Sequence, residues 1–149
     1  MRSVHVGRWL KLVQWQLVRN ALLWLLRVYA YLFHLVLGLL LAGMATVALS
    51  SGHSLTLGML PWQGERLTSA TLMFGLLGIV CVVFAVTGFV RWLFPLWALV
   101  AWFLMLRGYF LSSYTFSGAG EFRFAVWLTM GAFAAFLGSL SLFGRRGRR

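Results

Sequence analysis

Long apolar runs separated by short polar segments are the dominant pattern of this chain. Four runs lie at about 28–49, 70–90, 93–111 and 124–143. Each is close to the roughly 20 residues that a helix needs to cross the hydrocarbon layer of a bilayer. The pattern therefore predicts an all-α integral membrane protein with four transmembrane helices.

The polar segments between these runs predict that the helices form two hairpins. Residues 50–52 are a turn signal that ends the first run, and residues 112–123 form a Gly-rich loop between the third and fourth. Either Thr68 or Ser69 is expected to cap the second helix. Residues 91–92 form a very short turn that connects the two hairpins.

The N-terminal residues 1–27 contain too many charges for the embedded part of a span. At about 100° per residue, one helical strip is apolar and the roughly opposite strip is polar. The apolar strip contains Leu10, Val13, Leu17, Ala21 and Trp24, and the polar strip contains His5, Arg8, Gln16 and Arg19. We predict a basic amphipathic helix at the cytoplasmic interface that binds anionic headgroups. A single long helix that continues into the membrane is the alternative.

Composition and charge support a membrane location and fix the expected orientation. The 149 residues are 62% hydrophobic and 10% charged, and a net charge of +11 arises from 13 Lys and Arg against two acids. The basic residues lie mainly at the ends of apolar runs. This is the pattern expected when positively charged loops are retained in the cytoplasm. The tail at 144–149 adds four arginines. We therefore predict a bacterial inner-membrane protein with both termini cytoplasmic, a retained first span and no nucleic-acid partner.

The sequence contains no constellation of residues that is typical of catalysis or of metal binding. Its two carboxylates, Glu65 and Glu121, lie in different loops, and the single cysteine, Cys81, lies inside the second run. Paired acids, a nucleophile with its base, and a Cys-based metal site are therefore all missing from the sequence. We predict no enzymatic activity, no catalytic residue, no cofactor and no metal.

Two ionisable residues inside the runs are candidate functional groups. His34 lies within the first span, and Arg107 lies near the outer end of the third. A histidine within a membrane suggests a proton relay or a ligand site, although a structural role inside the bundle is the simpler interpretation. A small transporter or channel that uses His34 and Arg107 is the alternative functional hypothesis.

The two acidic residues are candidates for local ion pairs in the outer loops. Glu65 precedes Arg66 directly, and Glu121 lies close to Arg123. Such pairs hold loop ends but contribute little stability when exposed. Glu121 is alternatively expected to pair with Arg107 and to compensate its charge at the outer interface.

Small residues form a strip along the first and the fourth spans. Such strips let another helix approach closely, so we expect them to be helix-packing faces. They consist of Gly38, Ala42 and Ala45 in the first span and of Gly131, Ala135 and Gly138 in the fourth.

The first outer loop contains a candidate partner surface. Leu55, Leu57 and Met59 alternate with polar residues, which predicts a short extended strand. Together with Trp62, they would present an apolar surface at the outer interface.

Residues 53–90 resemble the membrane hairpin of the lipopolysaccharide assembly protein A domain family. The matching features are an extended strand, a Gln-Gly-Glu turn, a capping serine and a second span with glycines. They correspond to Ser54 to Leu57, Gln63-Gly64-Glu65, Ser69, Gly75 and Gly78. That family continues into a cytoplasmic coiled helix, whereas this chain continues into two further spans. The resemblance implies an accessory or adaptor role in the cell envelope.

These observations predict a small polytopic inner-membrane protein that acts as an accessory, assembly or regulatory subunit. Its expected partners are anionic lipids at the cytoplasmic face and other membrane proteins or further copies of itself.

Overall fold

The computed structural model describes residues 3–52, 64–112 and 114–142, with side chains from residue 14 onwards. Four α-helices make up this part of the chain, which contains no strand. They are α1 (Ser3–Ser50), α2 (Glu65–Thr87), α3 (Leu93–Phe110) and α4 (Ala119–Leu140). All four are long and apolar enough to cross a membrane, which confirms the prediction of an all-helical, multi-pass membrane protein.

The first helix is much longer than the other three. It contains 48 residues, whereas α2, α3 and α4 contain 23, 18 and 22. At 1.5 Å per residue, α1 is about 72 Å long and the others are about 27–35 Å long. No glycine or proline lies between residues 8 and 37, so the sequence contains none of the usual helix breakers there. The N-terminal segment and the first span thus form one helix, which corresponds to the alternative interpretation of the sequence.

Glycines determine both ends of α2. Gly64 has a φ of 67° and precedes the helix, so α2 begins before the expected cap at Thr68 or Ser69. That prediction was wrong, and Thr68 instead lies in the helix and donates from its hydroxyl to the Gly64 carbonyl. At the other end, Gly88 adopts a left-handed conformation with a φ of 77°. The helix therefore stops at Thr87, before the expected end of the span at residue 90.

The helices pack as a bundle in which α1 contacts both α2 and α4, and α3 contacts α4 and, less extensively, α2. Glycines allow the closest backbone approaches. A methyl group added at Gly75 of α2 would lie 2.6 Å from the Ala42 nitrogen of α1. A methyl group at Gly138 of α4 would collide with the carbonyl of Leu26. The outer faces of all four helices present large apolar side chains, as lipid-facing surfaces do.

The core is concentrated at the end of the bundle where α2 leads into α3. Its buried members are Ala30, Cys81, Val82, Ala85, Phe94, Trp97 and Ala135. Trp97 fits against Gly78, where an added methyl group would lie 3.1 Å from the indole ring. This end also contains the buried histidine.

Candidate functional site

His34 is buried between helices near the end of the bundle that contains the core. Its side chain is 1% exposed and lies between Phe33 of its own helix and Phe94 of α3. The ring centroids of His34 and Phe94 are 5.2 Å apart, with the planes at 73°. This edge-to-face arrangement is favourable for aromatic rings, so packing accounts for the position of the imidazole.

Only one of the two imidazole nitrogens of His34 has a hydrogen-bond partner in the described part of the chain. Its Nδ1 lies 2.9 Å from the carbonyl oxygen of Ala30. Because a carbonyl only accepts, Nδ1 carries the proton in this arrangement and Nε2 of the neutral ring keeps a lone pair. Nε2 is buried without a partner among the described residues. His34 is thus able to accept one hydrogen bond in an apolar environment.

The structure does not bring Arg107 close to His34. Arg107 is exposed in the last turn of α3, whereas His34 contacts Phe94 in the first turn. The 13 residues from Phe94 to Arg107 correspond to about 20 Å along the helix axis. The two predicted polar groups therefore lie at different depths, and no group of acids, histidines and cysteines suited to a metal lies among the described residues.

Glu121 organises the loop between α3 and α4. Its carboxylate accepts hydrogen bonds from the Ser117 backbone N–H at 2.7 Å and from the Ser117 hydroxyl at 2.9 Å. The Tyr114 hydroxyl donates to the other carboxylate oxygen at 3.4 Å. These contacts resemble a capping box at the start of α4. Within the described residues, they take the place of the predicted ion pairs with Arg107 and Arg123.

An aromatic cluster surrounds this loop, and sequence reasoning did not identify it. Tyr109 and Tyr114 pack edge to face at 5.9 Å, and Phe116 lies 5.2 Å from Tyr114 and 5.3 Å from Phe122. Partial desolvation and the charge of Glu121 raise the pKa of the Tyr114 hydroxyl. The sequence signal for this cluster was the repeated occurrence of aromatic residues among the glycines and serines of residues 109–122.

The other predicted outer-loop residues do not form a site in the described structure. Glu65 lies in the first turn of α2, where its charge interacts favourably with the positive end of the helix dipole. Arg66 follows it on the exposed surface, and the side chains of the two form no salt bridge in the described structure. The candidate surface of Leu55, Leu57, Met59 and Trp62 lies outside the described residues.

Both predicted small-residue strips lie at contacts within the chain. Gly38 and Ala42 of α1 pack against Gly75 of α2, and Ala45 is fully buried. On α4, Gly131 lies against Tyr29 and Phe33 of α1, Gly138 lies against Leu26 and Ala30, and Ala135 is fully buried. The strips therefore join helices of one molecule and are not free to join another.

Two arginines stabilise helix C-termini at the end of the bundle that contains the core. Arg27 of α1 donates to the Ser141 carbonyl at 2.8 Å and to its hydroxyl at 3.3 Å. The Arg91 guanidinium lies against Gly88, the residue that ends α2. Both cations meet the negative end of a helix dipole. Arg27 and Ser141 are 114 positions apart, and no local sequence pattern predicts such a contact.

The N-terminal part of α1 continues beyond this end of the bundle. All side chains in the segment from Gln14 to Leu25, which we call the projecting segment, are exposed. Further along α1, Leu26 contacts Gly138 of α4 and Arg27 contacts Ser141 directly after it. Seven large apolar side chains of the projecting segment are exposed, namely Trp15, Leu17, Val18, Leu22, Leu23, Trp24 and Leu25.

No protein-family model matches this sequence, and no curated protein or solved structure matches it either. The resemblance of residues 53–90 to the lipopolysaccharide assembly protein A domain family therefore stays a prediction. The chain is therefore placed in no family, and its function is inferred from its own sequence and structure.

Proposed function

We propose that this protein is an accessory, assembly or regulatory subunit of the bacterial inner membrane that acts through contacts with other proteins or with lipids. The observation that carries the proposal is the projecting segment of α1. A helix that continues past its bundle with every side chain from Gln14 to Leu25 exposed presents a surface that the described part of the chain does not cover. Neighbouring apolar side chains that are exposed and do not face lipid are typical of interaction sites.

The proposed orientation places both termini in the cytoplasm. The contact between Arg27 and Ser141 brings the projecting segment and the end of α4 to the same end of the bundle. The α2–α3 turn with Arg91 lies at that end too, because Tyr31 of α1 packs on Phe94. The described basic residues of α1 and of the α2–α3 turn thus share one end, and the positive-inside rule assigns the end with more positive charge to the cytoplasm. The arrangement of two hairpins that enter from the cytoplasm agrees with these contacts.

The chemistry of the projecting segment suits contacts with lipids and with proteins. It combines Arg19 with apolar side chains, so anionic headgroups and acidic proteins are both complementary to it. A separate interfacial helix, as the sequence predicted, would require a break in α1 between the projecting segment and the span. The continuous helix favours a segment that leaves the membrane instead.

A small transporter or channel is the second candidate, and one observation favours it. The buried Nε2 of His34 has no partner among the described residues and is able to accept a proton or a polar ligand. The exposed position of Arg107, about 20 Å further along the bundle, gives no continuous polar path between the two. The hypothesis predicts that flux into reconstituted vesicles is lost in the variant with both His34→Ala and Arg107→Ala, and unchanged flux would refute it.

The main proposal is tested by photo-crosslinking in intact cells followed by mild detergent extraction. A photoreactive amino acid at exposed positions of α1, including Leu17 and Leu22, is expected to produce a defined adduct with a protein or a lipid. The same amino acid at the buried position Ala45 is the control and should crosslink only within the chain. Recovery of an unmodified monomer from every exposed position and in several detergents would contradict the proposal.

A further inference from the structure

Two arginines from different parts of the chain lie near one tyrosine at the end of the bundle that contains the core. Arg27 and Tyr31 are four residues apart and therefore lie on the same side of α1. The Tyr31 ring packs on Phe94 at the start of α3, with the ring centroids 5.2 Å apart, and Arg91 precedes Phe94 by three residues. The charges of Arg27 and Arg91 both act on the Tyr31 hydroxyl. We call these three side chains the two-arginine cluster.

The two-arginine cluster has hydrogen-bond donors that the described residues do not use. Arg27 donates to Ser141 from Nε and Nη2, so its Nη1 has no partner in this part of the chain. The Arg91 guanidinium lies against Gly88 and donates no hydrogen bond within the described structure. The Tyr31 hydroxyl has no hydrogen-bond partner there either. A guanidinium presents its donors in a planar fork that matches the oxygens of a phosphate group.

No acidic side chain of this sequence lies close enough to neutralise the two-arginine cluster. The only two are Glu65 and Glu121. Glu65 begins α2, whose 23 residues put about 35 Å between it and the turn that contains Arg91. The 20 residues from Glu121 to Ser141 put about 30 Å between that acid and the contact with Arg27. The helix C-termini beside the two arginines supply only about half a negative charge each, so the cluster keeps about one positive charge.

The short connection between α2 and α3 places the two-arginine cluster at a membrane surface. Both helices are long and apolar enough to cross a membrane, and residues 88–92 are the whole connection between them. A chain that crosses the hydrocarbon layer and returns through so few residues turns at its surface. Trp92 in this turn is 59% exposed, and tryptophans are enriched at the level of the headgroups. Phosphate groups of phospholipids lie at the same depth.

We propose that the two-arginine cluster binds an anionic phosphate group. The two guanidiniums donate charged hydrogen bonds to the phosphate oxygens, and the Tyr31 hydroxyl donates a further one. A phospholipid headgroup and a soluble phosphate compound share this chemistry, and the position of the cluster at the bilayer surface favours the headgroup. The inference rests on the lipid contacts of the proposed function and names the residues and the headgroup chemistry that make them.

Lipid binding by the full-length protein tests the inference. Native mass spectrometry in detergent, with phosphatidylglycerol as the probe, measures the dissociation constant of the first bound lipid. Arg91→Gln should raise this constant about tenfold, because it removes charged hydrogen bonds to the phosphate. The substitution leaves the contact between Arg27 and Ser141 in place, so the end of α4 stays attached to α1.

Two further variants make the test specific. Tyr31→Phe keeps the ring contact with Phe94 and removes only the hydroxyl, so it should raise the dissociation constant about threefold. Arg19→Gln is the matched control, because it removes the same charge from an exposed position of α1 outside the two-arginine cluster. Its expected effect is below about twofold.

The inference is wrong if Arg91→Gln binds phosphatidylglycerol as tightly as the native protein, if Arg19→Gln weakens binding equally, or if zwitterionic phosphatidylcholine binds the native protein just as tightly. Competition with inorganic phosphate at constant ionic strength distinguishes the two sources. Displacement of the lipid identifies a soluble phosphate compound as the ligand, a lipid that stays bound identifies the headgroup, and both results support the phosphate site. Crosslinks from the projecting segment to a protein would still support the proposed function if the cluster bound no phosphate.

Discussion

At the scale of single residues, His34 differs from the buried threonines because one of its two ring nitrogens has no hydrogen-bond partner among the described residues. Thr71 and Thr129 donate to carbonyls of their own helices at 2.8 Å, whereas Nε2 of His34 has no hydrogen-bond partner among the described residues. A buried polar atom without a hydrogen bond lowers stability. We therefore expect His34→Phe, which keeps the ring contacts, to match or exceed the native free energy of unfolding.

His34→Ala is the comparison for that experiment, because it removes the ring and leaves a cavity. It should lower the free energy of unfolding by about 2–4 kcal/mol. Unfolding of each variant is followed by circular dichroism during SDS titration of mixed micelles. If His34→Phe is as damaging as His34→Ala, then Nε2 has a partner in the membrane, and the transporter hypothesis gains support.

Arg27 makes a second testable contribution at this scale. Its guanidinium holds the end of α4 through the carbonyl and the hydroxyl of Ser141. Charged hydrogen bonds of this kind contribute more than neutral ones, so Arg27→Ala should lower the free energy of unfolding by about 1–2 kcal/mol. Arg19→Ala is the matched control, because Arg19 is exposed and its guanidinium bonds only to Gln16 among the described residues. Its expected effect is below about 0.5 kcal/mol, and equal losses in the same SDS titration would refute a specific role for Arg27.

At the scale of helices, the pairing of α1 with α2 depends on the absence of a side chain at Gly75. A methyl group there would meet backbone atoms of Gly38 and Ala42, which are unable to move without separating the helices. We expect Gly75→Ala to lower the free energy of unfolding by about 1–3 kcal/mol. Gly43→Ala adds the same methyl group to α1 where nothing lies within 4 Å, and it should be neutral or slightly stabilising. A comparable loss in both variants, measured by thermal unfolding in detergent, would contradict this packing.

The number of helices in the described structure was predictable from the sequence. The residues at which the helices end, and the contacts between their side chains, were only partly predictable. Apolar runs of membrane-spanning length predict the four helices, since about 20 consecutive apolar residues are what a helix needs to cross the hydrocarbon layer. The end of α2 depends on the left-handed conformation of Gly88, and a glycine in an apolar run does not disclose it. Likewise, Glu121 was expected to pair with an arginine because opposite charges attract. In the structure its carboxylate instead accepts a hydrogen bond from the backbone N–H of Ser117, four residues away.

The N-terminal segment shows a further limit of the sequence at this scale. Its alternation of basic and apolar residues is compatible with a helix on the membrane surface and with a helix that leaves the membrane. The choice depends on whether the chain breaks near residue 27, and the contact between Arg27 and Ser141 lies within an unbroken helix. A contact across 114 positions is outside the reach of any local pattern.

At the scale of the whole molecule, the two ends of the bundle differ in charge and in packing. The end with the core contains Arg27 and Arg91 and leads into the projecting segment, whereas the opposite end is covered by the aromatic cluster around Glu121. The end with the core therefore also carries the part of α1 that extends beyond the bundle. This asymmetry predicts which sites are reached from each side of the membrane.

Single cysteines report this orientation when Cys81 is replaced by alanine. In native protein Cys81 is buried, so its replacement removes no surface label. Gly118 lies in the loop before α4 with open space around it, and Gln14 lies exposed in the projecting segment. A membrane-impermeant maleimide should label Gly118→Cys in cells whose outer membrane is permeable, and should label Gln14→Cys only after the inner membrane is opened. Because the positive-inside rule acts on the sum of many cations, the reverse pattern would overturn the proposed orientation and place the projecting segment on the opposite side of the membrane.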